Sequence, residues 1–193
     1  MAETKTSFAS VYNRFLGKIT DDMYIEFTVE DTVRDLQSLL VDAIPGFEFP
    51  RVNLYDYEIK TETVKENEVL PADFVLGVLW EELPENDELQ VPDVIVDRSV
   101  FNIALSEEEI NILALIMKQS WVQRQVASIE NTRMKYAGSD FKMGSQANHL
   151  DKLLKLLEEA RRDSFHMQRL YKRRKVDKDG IYQSTWRMFR SVK

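Results

Sequence analysis

The chain has 193 residues, of which 44% are hydrophobic and 10% aromatic, so it can bury the core of one generous domain. Its formal net charge is −7 and it contains no cysteine, which excludes disulfides and metal sites built on thiolates. Every apolar run is far shorter than the roughly 18 residues of a membrane span, and the first residues lack the order of a signal peptide. We therefore expect no membrane partner and no export by that route.

Two amphipathic helices are predicted near the start of the chain. Residues 7–19 carry apolar side chains at helical spacing, and the polar triplet at residues 20–22 ends this pattern. The second helix is expected to begin at Thr28, a good N-cap residue, and to stop at the Pro-Gly dipeptide of residues 45–46. Its buried stripe would consist of Val33, Leu36, Leu39, Leu40 and Ala43.

The composition of residues 47–105 is typical of strands and turns. Residues 52–59 alternate with a period of two, residues 74–79 form a short apolar run, and residues 94–96 are β-branched. Prolines and an acidic cluster divide the region into pieces of about eight to ten residues. We predict a β-hairpin or small sheet inserted between the helices.

A long helix is predicted for residues 107–135. Ser106 and Glu109 have the spacing of a capping box, in which each satisfies the backbone N–H of the other. Residues 110–117 are apolar nearly all round, which predicts burial on most sides, and the apolar stripe narrows after Trp121. The helix is therefore expected to leave the core along its length.

A second long helix is predicted for residues 146–175, after a turn at residues 136–140 and a cap at residues 144–145. One row of its side chains is spaced alternately three and four residues apart, so this row must face another helix. This seam consists of Leu150, Leu153, Leu157, Ala160, Ser164, Met167 and Tyr171.

Residues 176–193 are predicted to form a C-terminal docking tail. Large apolar side chains alternate there with arginine and lysine, which favours binding to a partner surface, although packing back on the same domain is the alternative. Residues 1–175 would form one domain with the β-rich insertion at residues 47–105. The predicted fold class is mainly α: a helical bundle with a long antiparallel helical hairpin, a β-hairpin or small-sheet insertion and an extended C-terminal tail.

Charge is unevenly divided along the chain. Residues 1–105 carry 22 acidic and 8 basic side chains, whereas residues 106–193 carry 11 acidic and 18 basic ones. Solvated surface is one interpretation. The other is that opposite flanks of neighbouring copies attract each other, as in a head-to-tail ring or filament. The candidate acidic flank is Glu81, Glu82, Glu85, Asp87 and Glu88, and the candidate partner-binding residues are Arg169, Tyr171, Lys172, Arg173, Arg174, Lys175, Tyr182, Trp186 and Phe189.

Signals for catalysis and metal binding are weak. Residues 177–180 look like a fragment of a calcium loop, but the downstream ligands are missing. His149 and His166 would lie about 25 Å apart on one helix, too far to share a metal ion. No nucleophile elbow or phosphate-binding glycine loop is present. We expect no catalytic residues, no cofactor and no metal, and the basic C-terminal stretch leaves a DNA-binding or regulatory protein as the alternative function.

Four segments carry a resemblance to a known family: IPGFEFP at residues 44–50, SIENTRMKYAGSDFK at residues 128–142, SQANHL at residues 145–150 and LYKRRK at residues 170–175. Together with the sequence around them, about two thirds of the chain resembles the neck or head-tail connector (head completion adaptor) proteins of tailed bacteriophages, particularly those that infect Gram-positive hosts. The acidic middle and the C-terminal residues match less well.

This resemblance implies a structural virion protein at the interface of head and tail, assembled in the host cytoplasm. Such subunits form a ring, here expected to be a homo-oligomer of about twelve copies. The ring lies beneath the portal protein, extends the DNA channel, where non-specific contact with DNA is expected, and offers an attachment surface for tail or collar proteins. Because exposed ion pairs contribute about 0–1 kcal/mol each, apolar docking is expected to dominate the contacts between subunits.

Overall fold

A computed structural model describes residues 5–19, 27–70, 73–79, 93–135, 143–176 and 182–183. Within them the dominant elements are the helices α1 (Phe8–Leu16), α2 (Val29–Ala43), α3 (Glu107–Lys135) and α4 (Met143–Arg173). This confirms the predicted mainly helical class with a small β component. None of the helices described combines the length and the apolar character that crossing a membrane requires.

The strands described are short and pair antiparallel in three sheets. The first sheet has the order β1–β6–β2, with β1 at Thr6–Ser7, β2 at Tyr57–Glu58 and β6 at Val100–Phe101. The second has the order β3–β5–β4, with β3 at Thr61–Lys65, β4 at Phe74–Leu79 and β5 at Asp93–Asp97. In the third, β7 at Lys175–Val176 pairs with β8 at Tyr182–Gln183.

The sheets differ from the prediction in two respects. The alternating residues 52–59 contribute a strand of two residues, and the longer β3 was not predicted because Val64 is its one apolar side chain. Pairing with the buried strand β5 along its whole length makes β3 extended. The first sheet also takes a strand from the start of the chain, so the β region is more than an insertion between helices.

The starts of α2 and α3 agree with the prediction. Thr28 Oγ1 accepts a hydrogen bond from the N–H of Asp31 at 3.2 Å. At the start of α3, Ser106 Oγ accepts from the N–H of Glu109 at 3.3 Å, and Glu109 Oε2 accepts from the N–H of Ser106 at 2.8 Å. These reciprocal bonds form the predicted capping box.

The bounds of α4 differ from the prediction. The helix begins at Met143, so residues 144–145 lie inside it and do not cap it. A glycine within a helix costs about 1 kcal/mol, which the packing of the remaining residues can offset. At the other end α4 stops at Arg173, and Lys175 is already part of β7.

The predicted seam of α4 is confirmed by its burial against α3. Residues 112–117 of α3 are buried, and α3 is the central helix, since it packs against α1, α2 and α4. Five of the seven seam residues are buried and the other two are half-buried; the buried ones are Leu150, Leu157, Ala160, Ser164 and Tyr171.

An aromatic cluster joins α1 to the sheets. The rings of Phe8 and Phe101 lie 4.6 Å apart between centroids, and those of Tyr12 and Phe74 lie 5.1 Å apart. The Tyr12 hydroxyl donates to Asp97 Oδ2 at 3.0 Å. Burial raises the pKa of the Tyr12 phenol well above its usual range, and the Asp97 carboxylate raises it further. Tyr12 therefore stays neutral and donates to the buried carboxylate.

Two glycines provide a matched test of the packing between α3 and the turn after α2. A Cβ atom added to Gly46 would lie 2.9 Å from Cγ2 of the stiff, buried Ile116, whereas at Gly17 the closest atom would be the carbonyl oxygen of Asn13 at 3.5 Å. We expect Gly46→Ala to lower the free energy of unfolding by about 1–3 kcal/mol. Gly17→Ala is expected to leave it unchanged or raise it by up to about 1 kcal/mol. Urea unfolding followed by circular dichroism measures both, and equal stabilities would contradict the close contact at Gly46.

Candidate functional site

The C-terminal half of α4 is held against the body by the segment that follows α2. The side-chain amide of Gln168, which is buried, donates to the carbonyl of Gly46 at 3.2 Å and accepts from the N–H of Glu48 at 2.9 Å. The rings of Phe47 and Tyr171 meet edge to face, with centroids 5.4 Å apart. The segments IPGFEFP and LYKRRK, which are far apart in the sequence, are therefore in direct contact.

Arg51 donates hydrogen bonds to carbonyl groups at the end of α4. Its guanidinium lies 4.2 Å above the centroid of the Tyr171 ring and donates to the carbonyl of Tyr171 at 2.8 Å and to the carbonyl of Arg174. The last carbonyls of a helix have no partner within the helix. Arg51 therefore acts as a cap supplied by a distant part of the chain.

Tyr171 corrects one of the predictions. Its side chain was expected at a partner surface, but it is 1% exposed and its hydroxyl donates to Glu109 Oε1 on α3. Burial raises the pKa of this phenol, and the Glu109 carboxylate raises it further. A tyrosine at a seam position faces the neighbouring helix whatever the charge of its sequence neighbours, so Tyr171 belongs to the core.

The other predicted partner-binding residues fall into four groups. Arg169, Lys172 and Arg173 are exposed. Arg174 forms an ion pair with Glu108 at 2.7 Å, so part of its charge is compensated within the chain. Lys175 and Tyr182 lie in β7 and β8, which form a small hairpin where an extended tail was predicted. Trp186 and Phe189, and the whole acidic flank of Glu81, Glu82, Glu85, Asp87 and Glu88, lie outside the described residues.

The exposed side of α4 opposite the seam is the candidate site. We define the α4 basic face as Arg161, Arg162, Phe165, His166, Arg169, Lys172 and Arg173, all of them exposed. Phe165 is 51% exposed and lies under the Arg169 guanidinium, 5.4 Å from it. The Lys172 ammonium lies 3.7 Å from the ring centroid of Phe49, which comes from the IPGFEFP segment. A depression of about 270 Å³ runs between Arg162, Phe165, His166, Arg169, Leu170 and Arg173.

The arginines of this face differ from the others in the chain. Each of the other arginines whose side chain the structure describes contacts a carboxylate or a backbone carbonyl: Arg14, Arg34, Arg51, Arg98, Arg124 and Arg174. Arg161, Arg162, Arg169 and Arg173 form no ion pair with any described residue. Unpaired positive charge is therefore concentrated on about three turns of one helix.

Sequence reasoning identified the basic residues of this face but missed its aromatic part. Phe165 lies between seam positions, and Phe49 comes from another part of the chain. The signal for Phe165 was available, because Phe165 lies outside the seam and the contact with α3 therefore does not bury it. No pattern in the sequence predicts that Phe49 lies beside Lys172.

His149 and His166 are both exposed. Among the residues that the structure describes, no group of three or more histidine, aspartate or glutamate side chains is arranged to hold a metal ion. The α4 basic face is a charged surface with exposed aromatic rings.

Comparison of the chain with protein-family models, with curated proteins and with solved structures found no match. The function proposed below therefore has its support in the residues and the geometry of the chain itself.

Tyr171→Phe tests the hydrogen bond that joins the last turn of α4 to the first turn of α3. We expect this substitution to lower the free energy of unfolding by about 1–3 kcal/mol, because the buried Glu109 carboxylate loses a donor. The matched control is Tyr55→Phe, at a side chain that is 66% exposed, and it is expected to change stability by less than about 0.5 kcal/mol. Chemical unfolding at neutral pH compares the three proteins, and a Tyr171→Phe variant as stable as the control would contradict this role of the hydroxyl.

Proposed function

We propose that the chain is a structural virion protein, a neck or head-tail connector subunit of a tailed bacteriophage. In this proposal copies of the chain form a ring beneath the portal protein, extend the DNA channel and provide the attachment surface for tail or collar proteins. The observation that carries the proposal is the α4 basic face. Its arginines form no ion pair with any described residue, whereas the other described arginines contact a carboxylate or a backbone carbonyl. Such a face is complementary to an anionic partner surface.

The helical hairpin supports the proposal as a rigid building block. Helices α3 and α4 have 29 and 31 residues, which corresponds to about 45 Å each at 1.5 Å per residue. They pack antiparallel along the seam, and α1 and α2 pack against α3. A closed ring needs subunits that keep the same angle at every interface, and a braced hairpin of this kind can keep it.

Exposed apolar side chains can supply binding free energy between subunits that exposed ion pairs do not supply. Each subunit in a ring presents two different surfaces to its neighbours, and ion pairs between them contribute about 0–1 kcal/mol each. Several large apolar side chains are exposed in the single chain, and burial of a large side chain contributes about 1.5–3 kcal/mol. They include Phe27, Phe49, Tyr55, Ile59, Leu70 and Phe165. Phe49 and Phe165 lie beside or within the α4 basic face, which makes it suitable for docking to the portal protein or to a neighbouring copy.

Electron microscopy tests the assembly. The purified chain, alone or mixed with portal protein, is expected to form ring-shaped particles. The triple variant Arg162→Glu, Arg169→Glu, Arg173→Glu is expected to lose the rings that depend on portal protein, because it reverses the charge of the α4 basic face. The matched control Arg34→Glu, Lys60→Glu, Lys65→Glu changes the net charge equally on other exposed side chains and is expected to keep them. A wild-type chain that stays monomeric with and without portal protein would contradict the proposal.

A second candidate function is non-specific DNA binding, and the same face favours it. Unpaired arginines beside an exposed aromatic ring can neutralise phosphates and stack on bases. Phe165 under Arg169, with Arg162 and Arg173 nearby, has this composition. In this case the chain would be a DNA-binding or regulatory protein, or a connector that touches the DNA in its channel.

Salt dependence separates the two functions. If the face binds DNA, the logarithm of the affinity should fall linearly with the logarithm of the salt concentration, with a slope of about −0.9 for each phosphate contacted. Each of the substitutions Arg162→Gln and Arg169→Gln should then reduce that slope by about one unit. Mobility shifts with duplex DNA over a salt series provide the measurement. Weak binding with an unchanged slope in both variants would exclude the face as a DNA site.

A further inference from the structure

A second positively charged site lies at the end of α1, away from the α4 basic face. A depression of about 530 Å³ opens there between α1, α3 and the N-terminal half of α4. This volume is in the range of ligand-binding pockets. We call it the lysine depression, and its walls include Lys18, Lys118, His149, Ile19, Trp121 and Leu153.

The lysines of the lysine depression form no ion pair in the part of the chain that the structure describes. Burial lowers the pKa of Lys18, and the neighbouring cations Arg14 and Lys118 lower it further, while Asp163 acts in the opposite direction. An anion in the depression would therefore relieve repulsion between like charges.

Four of the other side chains that line the depression are apolar: Ile19, Trp121, Leu153 and Leu156. Trp121 is 7% exposed, and the other three are half-buried. A ligand that suits this site combines a carboxylate with an apolar group.

We propose that the lysine depression binds the acidic segment of a second copy of this chain, residues 81–89. This segment contains Glu81-Glu82-Leu83 and Asp87-Glu88-Leu89, so that a leucine twice follows two carboxylates. The carboxylates match Lys18 and Lys118, and a leucine matches the apolar walls. The proposal rests on the proposed function, because a ring needs a contact of this heterologous kind between neighbouring copies.

The lysine depression suits this segment better than the α4 basic face does. Four apolar side chains line the lysine depression, whereas two, Phe165 and the half-buried Leu170, line the depression of the α4 basic face. The two lysines of the lysine depression are also partly buried. An ion pair with a partly buried lysine contributes more binding free energy than one with a fully exposed arginine. The α4 basic face then remains available for portal protein or DNA.

A synthetic peptide tests the site directly. The fluorescein-labelled peptide of residues 79–91 is titrated with the full-length chain at low salt, and its anisotropy is measured. We expect saturable binding that Lys18→Glu, Lys118→Glu weakens by about tenfold or more, equivalent to about 1.4 kcal/mol. The control Arg162→Glu, Arg169→Glu changes the charge equally on the α4 basic face and is expected to bind as the wild type does. Absence of binding, or an equal loss in both variants, overturns the proposal.

Two controls separate specific docking from general attraction of charges and from misfolding. The same peptide carrying Leu83→Ser and Leu89→Ser keeps its charge and is expected to bind several-fold more weakly; equal binding overturns the apolar part of the proposal. Lys118→Gln keeps the methylene groups of the side chain, so it preserves packing while it removes one charge. It is expected to keep the wild-type thermal unfolding temperature and still to weaken binding, and unchanged binding would count against the site.

A mixing experiment shows whether the contact joins two copies. One chain carries Lys18→Glu, Lys118→Glu, and the other carries Glu81→Gln, Glu82→Gln, Asp87→Gln, Glu88→Gln. Light scattering after size exclusion should show each variant as a monomer and their mixture as a one-to-one complex, and a mixture that stays monomeric overturns the contact between copies. If the peptide and the mixture bind while no rings form with portal protein, the proposed function fails and this inference stands. If rings form with portal protein while the peptide does not bind, the proposed function stands and this inference fails.

Discussion

The buried carboxylate of Glu109 is the contact on which the rest of the architecture depends. Its two oxygens accept from the N–H and the hydroxyl of Ser106 and from the hydroxyl of Tyr171, so it connects the first turn of α3 to the last turn of α4. A buried carboxylate is tolerated because several donors satisfy it. These bonds define how far the two long helices are shifted along each other, and the α4 basic face takes its position on the molecule from that shift.

Internal pairing leaves the arginines of the α4 basic face without an acidic partner among the described residues. Arg51 satisfies the end of α4, Arg98 is held between Glu62 and Asp73, and Arg124 pairs with acids of α2. The arginines of the α4 basic face and the lysines of the lysine depression have no such partners among the described residues. Both sites are positive, while the first half of the sequence is strongly acidic, and the proposed contact between copies uses this asymmetry.

Periodicity predicted most of the helical fold and less of the rest. The seam of α4 and the buried run of α3 could be predicted because helix geometry alone decides which side chains share a face. Strand β3 could not, since a strand with one apolar residue becomes extended through its partner β5. The basic part of the candidate site was visible as a charge run. Tyr171 was predicted both in the seam and among the partner-binding residues, and its burial supports the seam position alone.

The sequence by itself determined the helices, the caps at the starts of α2 and α3, the seam between α3 and α4 and the separation of acidic from basic halves, because each of these depends on neighbours within a few turns of the chain. The tertiary structure decided which charges remain unpaired. It placed Arg51 under the last turn of α4, Phe49 beside Lys172, and Lys18 next to Lys118. These contacts join residues far apart along the chain, and local spacing carries no information about such distances.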